Sequence, residues 1–264
     1  MPGPDAPARR ERSGVPAGGP GVDTASAQEF QREILDRITV EELQSVAARL
    51  DRKSAAMRDV LLAGDARLSR AALRTVLGLI FATRRRADAI IDAVGEDRLS
   101  AAIGDLLAGE VDLAARFGAF GSTLAAHGLA GAADPRFDLP SELLHFTYPG
   151  EYWLWTRWLW DPATQTDALG LVTSDDFDLT AGSGDSDAYL TVGRATAFVN
   201  ETGKAAGFTD AAPGLFGTDI FLACVYGVYM YTVLRMRMTK EFNELVPRLP
   251  DLIRRLLGIY YQEG

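Results

Sequence analysis

The sequence predicts an all-α protein, a compact multi-helix domain that follows a disordered N-terminal tail. Apolar residues recur every three or four positions through most of the chain, and strict alternation, which is typical of strands, is nearly absent. Capping residues and glycines stand at the ends of these periodic stretches. The 264 residues are 47% hydrophobic and 24% charged, a composition that indicates a folded domain rather than a disordered chain.

The N-terminal segment 1–26 is rich in Pro, Gly, Ala and Ser and lacks the continuous apolar stretch of a secretory signal. We predict that this segment is disordered, that order begins near Phe30, and that 27–264 form the helical domain. The turn-rich stretch 130–140 is a candidate subdomain boundary within that domain.

Three hydroxyl residues stand where helices are predicted to begin: Thr39, Ser54 and Ser69. Thr39 and Glu42 have the spacing of a capping box. The helix capped by Ser54 is predicted to end at Gly64, and the helix capped by Ser69 carries an apolar stripe that extends to Phe81. Two further glycine-bounded helices are predicted over 99–108 and 113–127.

All four tryptophans lie within the segment 148–160, which is predicted to be a helix. Pro149 can occupy the first turn of this helix, and Pro162 can end it. On a helix these indole rings would point in several directions. The helix must therefore be deeply buried or must cover a partner, and Arg157 could add a cation–π or phosphate contact. Both alternatives, a core between two helical halves and a recognition surface, stay open.

Two long helices are predicted in the second half of the chain, over 188–206 and 215–234. The second has Asp219 as its only charge and is long enough to span a bilayer, so we considered a membrane helix as well as the central helix of a globular core. The core helix is favoured because Asp219 would be costly in lipid and several tyrosines lie in the same stretch.

The charge distribution is uneven. The net charge is −9, but the helical segment 49–86 has ten basic and three acidic residues, a local +7 (10 − 3). Such asymmetry can mark a face that docks an acidic partner, a nucleic acid or a membrane surface, but a set of solvated helix faces is the favoured interpretation. A single cysteine, Cys224, excludes an intrachain disulfide and favours a cytoplasmic protein.

No complete catalytic signature is present. Gly203 and Lys204 lack the preceding glycine and the following hydroxyl of a phosphate loop, and no nucleophile elbow occurs. Ser141 and His145 are four positions apart, so a helix could join a hydroxyl to an imidazole, but a hydrogen-bonded core histidine explains the pattern better. We therefore predict no catalytic residue, no metal and no cofactor, and the balance favours a protein without enzymatic activity.

The acidic stretch 174–187 has some features of a calcium loop, with Asp176, Asp178, Thr180 and Asp187 at suitable relative positions. Ala181 replaces the glycine that such a loop needs for its turn, and Asp187 is shorter than the usual glutamate. A solvated loop is the favoured interpretation.

The segments LAARFGAF, LPSELLHFTYP, YWLW and GTDIFLACVYG together resemble helical regions of restriction-associated proteins and of helix-hairpin-helix glycosylases, which act on DNA. This resemblance covers about half the chain and implies a helical fold and a link to nucleic acid. The glycosylase lysine and aspartate have no counterpart here, so the resemblance implies no catalytic residue.

The leading hypothesis is a non-enzymatic adaptor or scaffold that binds another protein. The predicted partner-binding residues are Trp153, Trp155, Arg157, Trp158 and Trp160. One alternative is nucleic-acid binding through the basic segment 49–86, and the arginines for that role are Arg67, Arg70, Arg74, Arg84, Arg85 and Arg86. The other alternative is a membrane-associated accessory protein that the helix 215–234 anchors.

Overall fold

The computed structural model describes residues 21–64, 67–129, 135–161, 167–174, 177–180, 184–207, 209–237 and 247–259. These residues form ten α-helices and no strand, so the all-α prediction is confirmed. The helices are α1 (Thr24–Leu35), α2 (Val40–Leu61), α3 (Arg70–Leu79), α4 (Ala87–Val94), α5 (Glu96–Ala108), α6 (Leu113–Ala126), α7 (Asp138–Thr147), α8 (Asp185–Ala206), α9 (Gly217–Arg237) and α10 (Leu249–Leu256).

Every residue of α7 is buried. α7 contacts α2, α5 and α6, and α9 contacts α1, α2, α8 and α10. The helices α3 to α6 each contact the next helix along the chain, which is the arrangement expected when the connecting segments are short. In the predicted boundary region 130–140, residues 130–134 lie outside the described part, and 138–140 already belong to α7.

Order begins earlier than the sequence predicted. Residues 1–20 of the expected tail lie outside the described residues, but Val22 pairs with Thr173 in an isolated β-bridge. The Asp23 carboxylate accepts the backbone N–H of Ser26 at 3.1 Å and caps α1. The prediction that order starts near Phe30 is wrong because Asp23 already supplies a complete helix cap.

The capping box of Thr39 and Glu42 is present at the start of α2, as predicted. The predicted second helix start at Ser54 is wrong, because α2 continues through this residue. Its hydroxyl donates to the backbone oxygen of Phe146 at 2.7 Å and joins α2 to α7. A serine in the middle of a helix is tolerated here since its polar group has an interior partner.

The tryptophan segment 148–161 contains no helix, so the predicted helix over 148–160 is wrong. Residues 152–156 have no regular secondary structure, and a turn follows. The backbone N–H of Trp155 donates to the Ser141 hydroxyl at 2.5 Å, a bond that replaces the helical one. Along this irregular path the side chains of Trp155, Trp158 and Trp160 are buried.

The predicted helices 188–206 and 215–234 correspond to α8 and α9. Residues 216–225 are all buried, which agrees with the interpretation of α9 as a core helix. Among the helices of the described residues, none combines the length and the hydropathy that crossing a bilayer requires.

Candidate functional site

The tryptophans mostly fill the core. Trp155 is fully buried; its ring stacks on Phe137 with centroids 4.4 Å apart, and its Nε1–H donates to the Trp160 backbone oxygen at 2.9 Å. Trp158 and Trp160 are buried as well, whereas Trp153 is half-buried. Three of the four indole rings therefore belong to the core and offer little surface to a partner. A core role was one of the two alternatives that the sequence left open.

Arg157, the fifth predicted partner-binding residue, is engaged within the fold. Its guanidinium lies 5.3 Å from the centre of the Phe137 ring and 3.8 Å from the Asp138 carboxylate. The structure therefore places this side chain against the aromatic core, with its charge at the surface.

The polar residues of α7 form a buried network. Lys53 Nζ lies 2.6 Å from Glu142 Oε2 and also donates to the Leu257 backbone oxygen at 3.3 Å. It stands 4.0 Å from the centre of the Phe146 ring. These contacts join α2, α7 and the end of α10 inside the protein.

His145 has both ring nitrogens directed at acceptors. Nδ1 lies 2.9 Å from the Tyr152 backbone oxygen, and Nε2 lies 3.2 Å from Asp219 Oδ2 on α9. Burial by itself lowers the pKa of His145, but the Asp219 carboxylate and the Tyr152 carbonyl outweigh burial, and the pKa lies above its ordinary value of 6.5. His145 is therefore a core residue whose two ring nitrogens face the Tyr152 carbonyl and the Asp219 carboxylate.

Ser141 and His145 do not form a catalytic pair. The Ser141 hydroxyl accepts from Trp155, and the two imidazole nitrogens face Tyr152 and Asp219. A general base must reach the hydroxyl that it activates, and this histidine is committed elsewhere. The core-histidine interpretation fits the geometry. Burial also raises the pKa of the Cys224 thiol well above its ordinary range, so this cysteine is a poor nucleophile.

Part of the acidic stretch 174–187 lies outside the described residues, Asp176 and Ala181 among it. Where the stretch is described, the Asp178 carboxylate accepts from both the N–H and the hydroxyl of Thr180, at 2.8 and 2.6 Å. Within the described parts of the chain, no group of three or more His, Cys, Asp or Glu residues is placed to hold a metal ion.

Three of the six arginines predicted to bind nucleic acid are bound instead by carboxylates of neighbouring helices. Arg70 Nη2 lies 2.7 Å from Asp92, and Arg74 Nη2 lies 2.5 Å from Asp88. Arg67 forms an ion pair with Asp97. The hydrogen bond that Arg70 donates to Asp92 raises the pKa of Arg70. These pairs neutralise the exposed face that α3 shares with α4 and α5.

The other three arginines line an open groove. Arg84, Arg85 and Arg86 lie in the turn between α3 and α4, and Arg255 of α10 lies across from them. The groove has a volume of about 330 Å³, and Phe81 and Ala82 complete its lining. No acidic side chain is among the described residues that line it.

Phe81 belongs to this groove, although the sequence assigned it to the apolar stripe of α3. The other stripe residues are buried, but α3 ends at Leu79, and Phe81 in the following turn is 49% exposed. The Arg84 guanidinium lies 4.7 Å from the centre of the Phe81 ring, within the range of a cation–π contact.

Both walls of the groove are fixed to the interior. In the turn, the fully buried Thr83 donates its hydroxyl to the Leu77 backbone oxygen at 2.8 Å. At the end of α10, the Leu256 backbone oxygen accepts from Trp158 Nε1 at 3.0 Å. Gly258 follows with a φ of +71°, and a β-carbon there would approach Lys53 Nζ to 3.1 Å and Phe81 Cβ to 3.5 Å. The α3–α4 turn and the end of α10 therefore meet next to the buried Lys53.

The sequence identified Arg84, Arg85 and Arg86 but missed Phe81 and Arg255. A signal for Arg255 exists in the amphipathic C-terminal stretch, where Arg254 and Arg255 stand together. No local pattern shows that this stretch meets the α3–α4 turn.

Comparison with protein-family models, with curated proteins and with solved structures found no match to the chain. The resemblance to helical regions of DNA-acting proteins therefore stays a prediction. The described residues define an all-α protein whose surface carries an arginine-lined groove.

Proposed function

We propose that the protein is a non-enzymatic helical adaptor that binds an acidic segment of another protein in the arginine groove. The observation that carries the proposal is the groove itself, in which four arginines and a half-exposed phenylalanine surround one open volume. Arginine and aromatic side chains are enriched among the residues that dominate binding at protein interfaces. An acidic segment complements the charge, and its apolar groups can pack on Phe81.

The charge distribution favours a protein partner over a nucleic acid. The net charge of −9 repels a long polyanion, whose affinity depends on many phosphate contacts. Arg67, Arg70 and Arg74, which could have extended the basic surface, are bound by aspartates. The groove is lined by four arginines over a short stretch of surface, and a short acidic segment matches its length better.

Nucleic-acid binding is the second candidate function, because an exposed aromatic ring beside arginines is also suited to an unpaired base. Phe81 could stack on such a base while Arg84, Arg85 and Arg86 contact phosphates. This alternative predicts that the protein captures a nucleic acid from cell extract and that nuclease treatment abolishes the capture.

The experiment is affinity capture with the tagged full-length chain from its own cells, with and without nuclease, read by quantitative mass spectrometry. The test variant is Arg85→Glu with Arg255→Glu, which reverses charge at two exposed positions of the groove. The matched control is Arg194→Glu, which makes the same change on the exposed face of α8, a helix that packs on α6 and α9. Unchanged thermal unfolding shows that each variant is folded.

We expect a protein partner that survives nuclease, is retained by the Arg194 variant and is lost by the groove variant. Equal retention by both variants would place binding outside the groove. Loss of the captured material on nuclease treatment would favour nucleic acid instead.

A further inference from the structure

We infer that residues 260–264 of this chain dock in the arginine groove and compete there with the acidic segment of the partner. This inference rests on the proposed function and adds its regulation, because a groove that its own chain occupies accepts a partner only for part of the time. Residues 260–264 have the sequence YYQEG and lie outside the described part of the chain.

The described chain stops beside the groove. α10 ends in a Schellman motif, in which the N–H of Ile259 donates to the Arg254 backbone oxygen at 2.8 Å. The second bond of this motif runs from the N–H of Gly258 to the Arg255 backbone oxygen at 3.1 Å. The left-handed Gly258 and the buried Ile259 fix the course of the chain at this point. Because a β-carbon on Gly258 would lie 3.5 Å from Phe81 Cβ, the last described residues lie next to the α3–α4 turn.

The segment 260–264 is long enough to cover the groove from this starting point. An extended chain spans about 3.3–3.6 Å per residue, so five residues reach about 17 Å. Arg255, which lines the groove, stands only three positions before Gly258. A segment tethered this closely has an effective concentration of about millimolar at the groove, so weak contacts are sufficient to hold it there.

The residue types of the segment complement those of the groove. Glu263 supplies a carboxylate, and no acidic side chain is among the described residues of the lining. Tyr260 and Tyr261 supply aromatic rings, which can pack on the half-exposed Phe81 or stack on guanidinium groups. The partner segment is proposed to make the same acidic and apolar contacts, so the two ligands exclude each other.

The arginines of the groove are already engaged within the chain. Arg84, Arg86 and Arg255 each have an interaction with another group of the same chain. The Arg84 guanidinium also lies over the Phe81 ring. A partner must therefore compete with intramolecular contacts, and its apparent affinity falls with the fraction of molecules whose groove is accessible. This engagement favours an occupant that the chain itself supplies.

The first experiment measures the mobility of position 262 in the full-length protein by electron paramagnetic resonance. Gln262→Cys accepts a nitroxide spin label and leaves Tyr261 and Glu263 unchanged. The natural Cys224 is buried, so the label reports on the segment selectively. We expect a slow, immobilised component to dominate the spectrum.

Variants of the labelled protein identify where the segment docks. Arg85→Glu with Arg255→Glu should convert the slow component to fast motion, and Phe81→Ala should do so in part. Arg194→Glu, at an exposed position of α8, should leave the spectrum unchanged. Unchanged thermal unfolding shows that each variant is folded. Fast motion of the label in the protein with the natural groove would overturn the inference, as would a slow component that the groove variant retains.

The second experiment measures competition with the partner by affinity capture from cell extract. Tyr261→Ser with Glu263→Lys weakens the attachment of the segment and leaves the groove itself unchanged. We expect about threefold more captured partner, because exposed contacts of this kind shift an equilibrium between closed and open states by about that factor. Glu201→Lys makes the same charge change at an exposed position of α8 and should leave the amount unchanged. Equal capture by the segment variant and the unaltered protein would refute the competition.

The two experiments separate this inference from the proposed function. Immobilisation that depends on the groove supports the docking of 260–264 even if no partner is captured, an outcome that refutes the adaptor proposal alone. A partner that is captured through the groove by a protein whose label moves fast leaves the adaptor proposal standing and refutes the inference.

Discussion

Lys53 and Glu142 form an ion pair in the protein interior, with 2.6 Å between Nζ and Oε2 and side-chain exposures of 0% and 7%. The pair joins the long helix α2 to the fully buried α7. Lys53 also donates to the Leu257 backbone oxygen, so the pair lies directly beneath the end of α10 that forms one wall of the groove. The same buried ion pair therefore belongs to the polar core and holds one wall of the groove in place.

Lys53→Met should destabilise the fold strongly, because Glu142 would then be a buried charge without a partner. The expected loss in the free energy of unfolding is about 3–5 kcal/mol, measured by urea denaturation. Lys53→Met combined with Glu142→Met should recover a large part of this loss, since an apolar pair of similar volume removes the uncompensated charge.

The matched control for this pair is Arg67→Met, which breaks the exposed ion pair with Asp97. Its cost should stay within about 1 kcal/mol because water screens and solvates exposed charges. Equal losses in the free energy of unfolding for the Lys53 and Arg67 variants would show that the buried ion pair contributes no more to stability than an exposed one.

His145 should make stability depend on pH near neutrality. Its pKa is higher in the folded than in the unfolded protein, because Asp219 and the Tyr152 carbonyl outweigh burial. The stabilisation is complete below the unfolded value of about 6.5 and is lost as the pH rises through the higher folded value. The melting temperature should therefore fall across this window.

The two histidines allow a direct comparison by calorimetry as a function of pH. His145→Gln should remove the fall in melting temperature above pH ~6.5, and His127→Gln should preserve it. If the melting temperature of the His145 variant still falls above pH ~6.5, another titrating group causes the fall.

Asp167→Asn should stabilise the protein at neutral pH. Burial raises the pKa of Asp167 from 3.8 to about 6, so its ionised form is disfavoured in the fold. The folded protein holds a proton that the unfolded chain has released, and stability declines as the pH rises through this window. Asparagine keeps an oxygen that can accept the Gly170 N–H and carries no charge.

The expected gain is up to about 3 kcal/mol at pH ~7 and disappears below pH ~3, where the aspartic acid is neutral in both states. Denaturant unfolding at the two pH values measures the difference. Asp105→Asn, at an exposed position of α5, should change stability by no more than about 0.5 kcal/mol. No gain at neutral pH would mean that Asp167 is solvated well enough to ionise freely.

Trp155→Ala should cost about 3–5 kcal/mol in the free energy of unfolding, because it opens a cavity in a close-packed core. The Trp155 ring is fully buried against Phe137, and its removal leaves the Trp160 backbone oxygen without the indole N–H donor. Trp153→Ala is the comparison within the same segment and should cost less, since Trp153 is half-buried. A negligible loss for Trp155, with helicity retained, would contradict a core role.

Helix caps were predictable from the sequence because they depend on neighbouring residues. Thr39 and Ser69 bond to backbone groups three positions along the chain, and both caps are present in the structure. The helical period likewise predicted the all-α class and the approximate extent of most helices. Ser54 looks the same locally, but its hydroxyl bonds to Phe146 instead, a partner that the chain fold supplies.

The conformation of the tryptophan segment could not be predicted from neighbouring residues alone. Its residues permit a helix, but an irregular path buries Trp155 and lets its backbone bond to Ser141. Burial of large aromatic surface outweighs a weak helix preference, and only the surrounding helices determine which side chains are buried.

The sequence by itself determined the helical class, the caps and the concentration of arginines in one segment. Tertiary structure decided which of those arginines share a groove, because aspartates of α4 and α5 bind three of them and Arg255 arrives from the far end of the chain. The physical reason is the range of each interaction. Caps and helical periods act over a few residues, whereas ion pairs, burial and the shape of a surface depend on segments that meet only after folding.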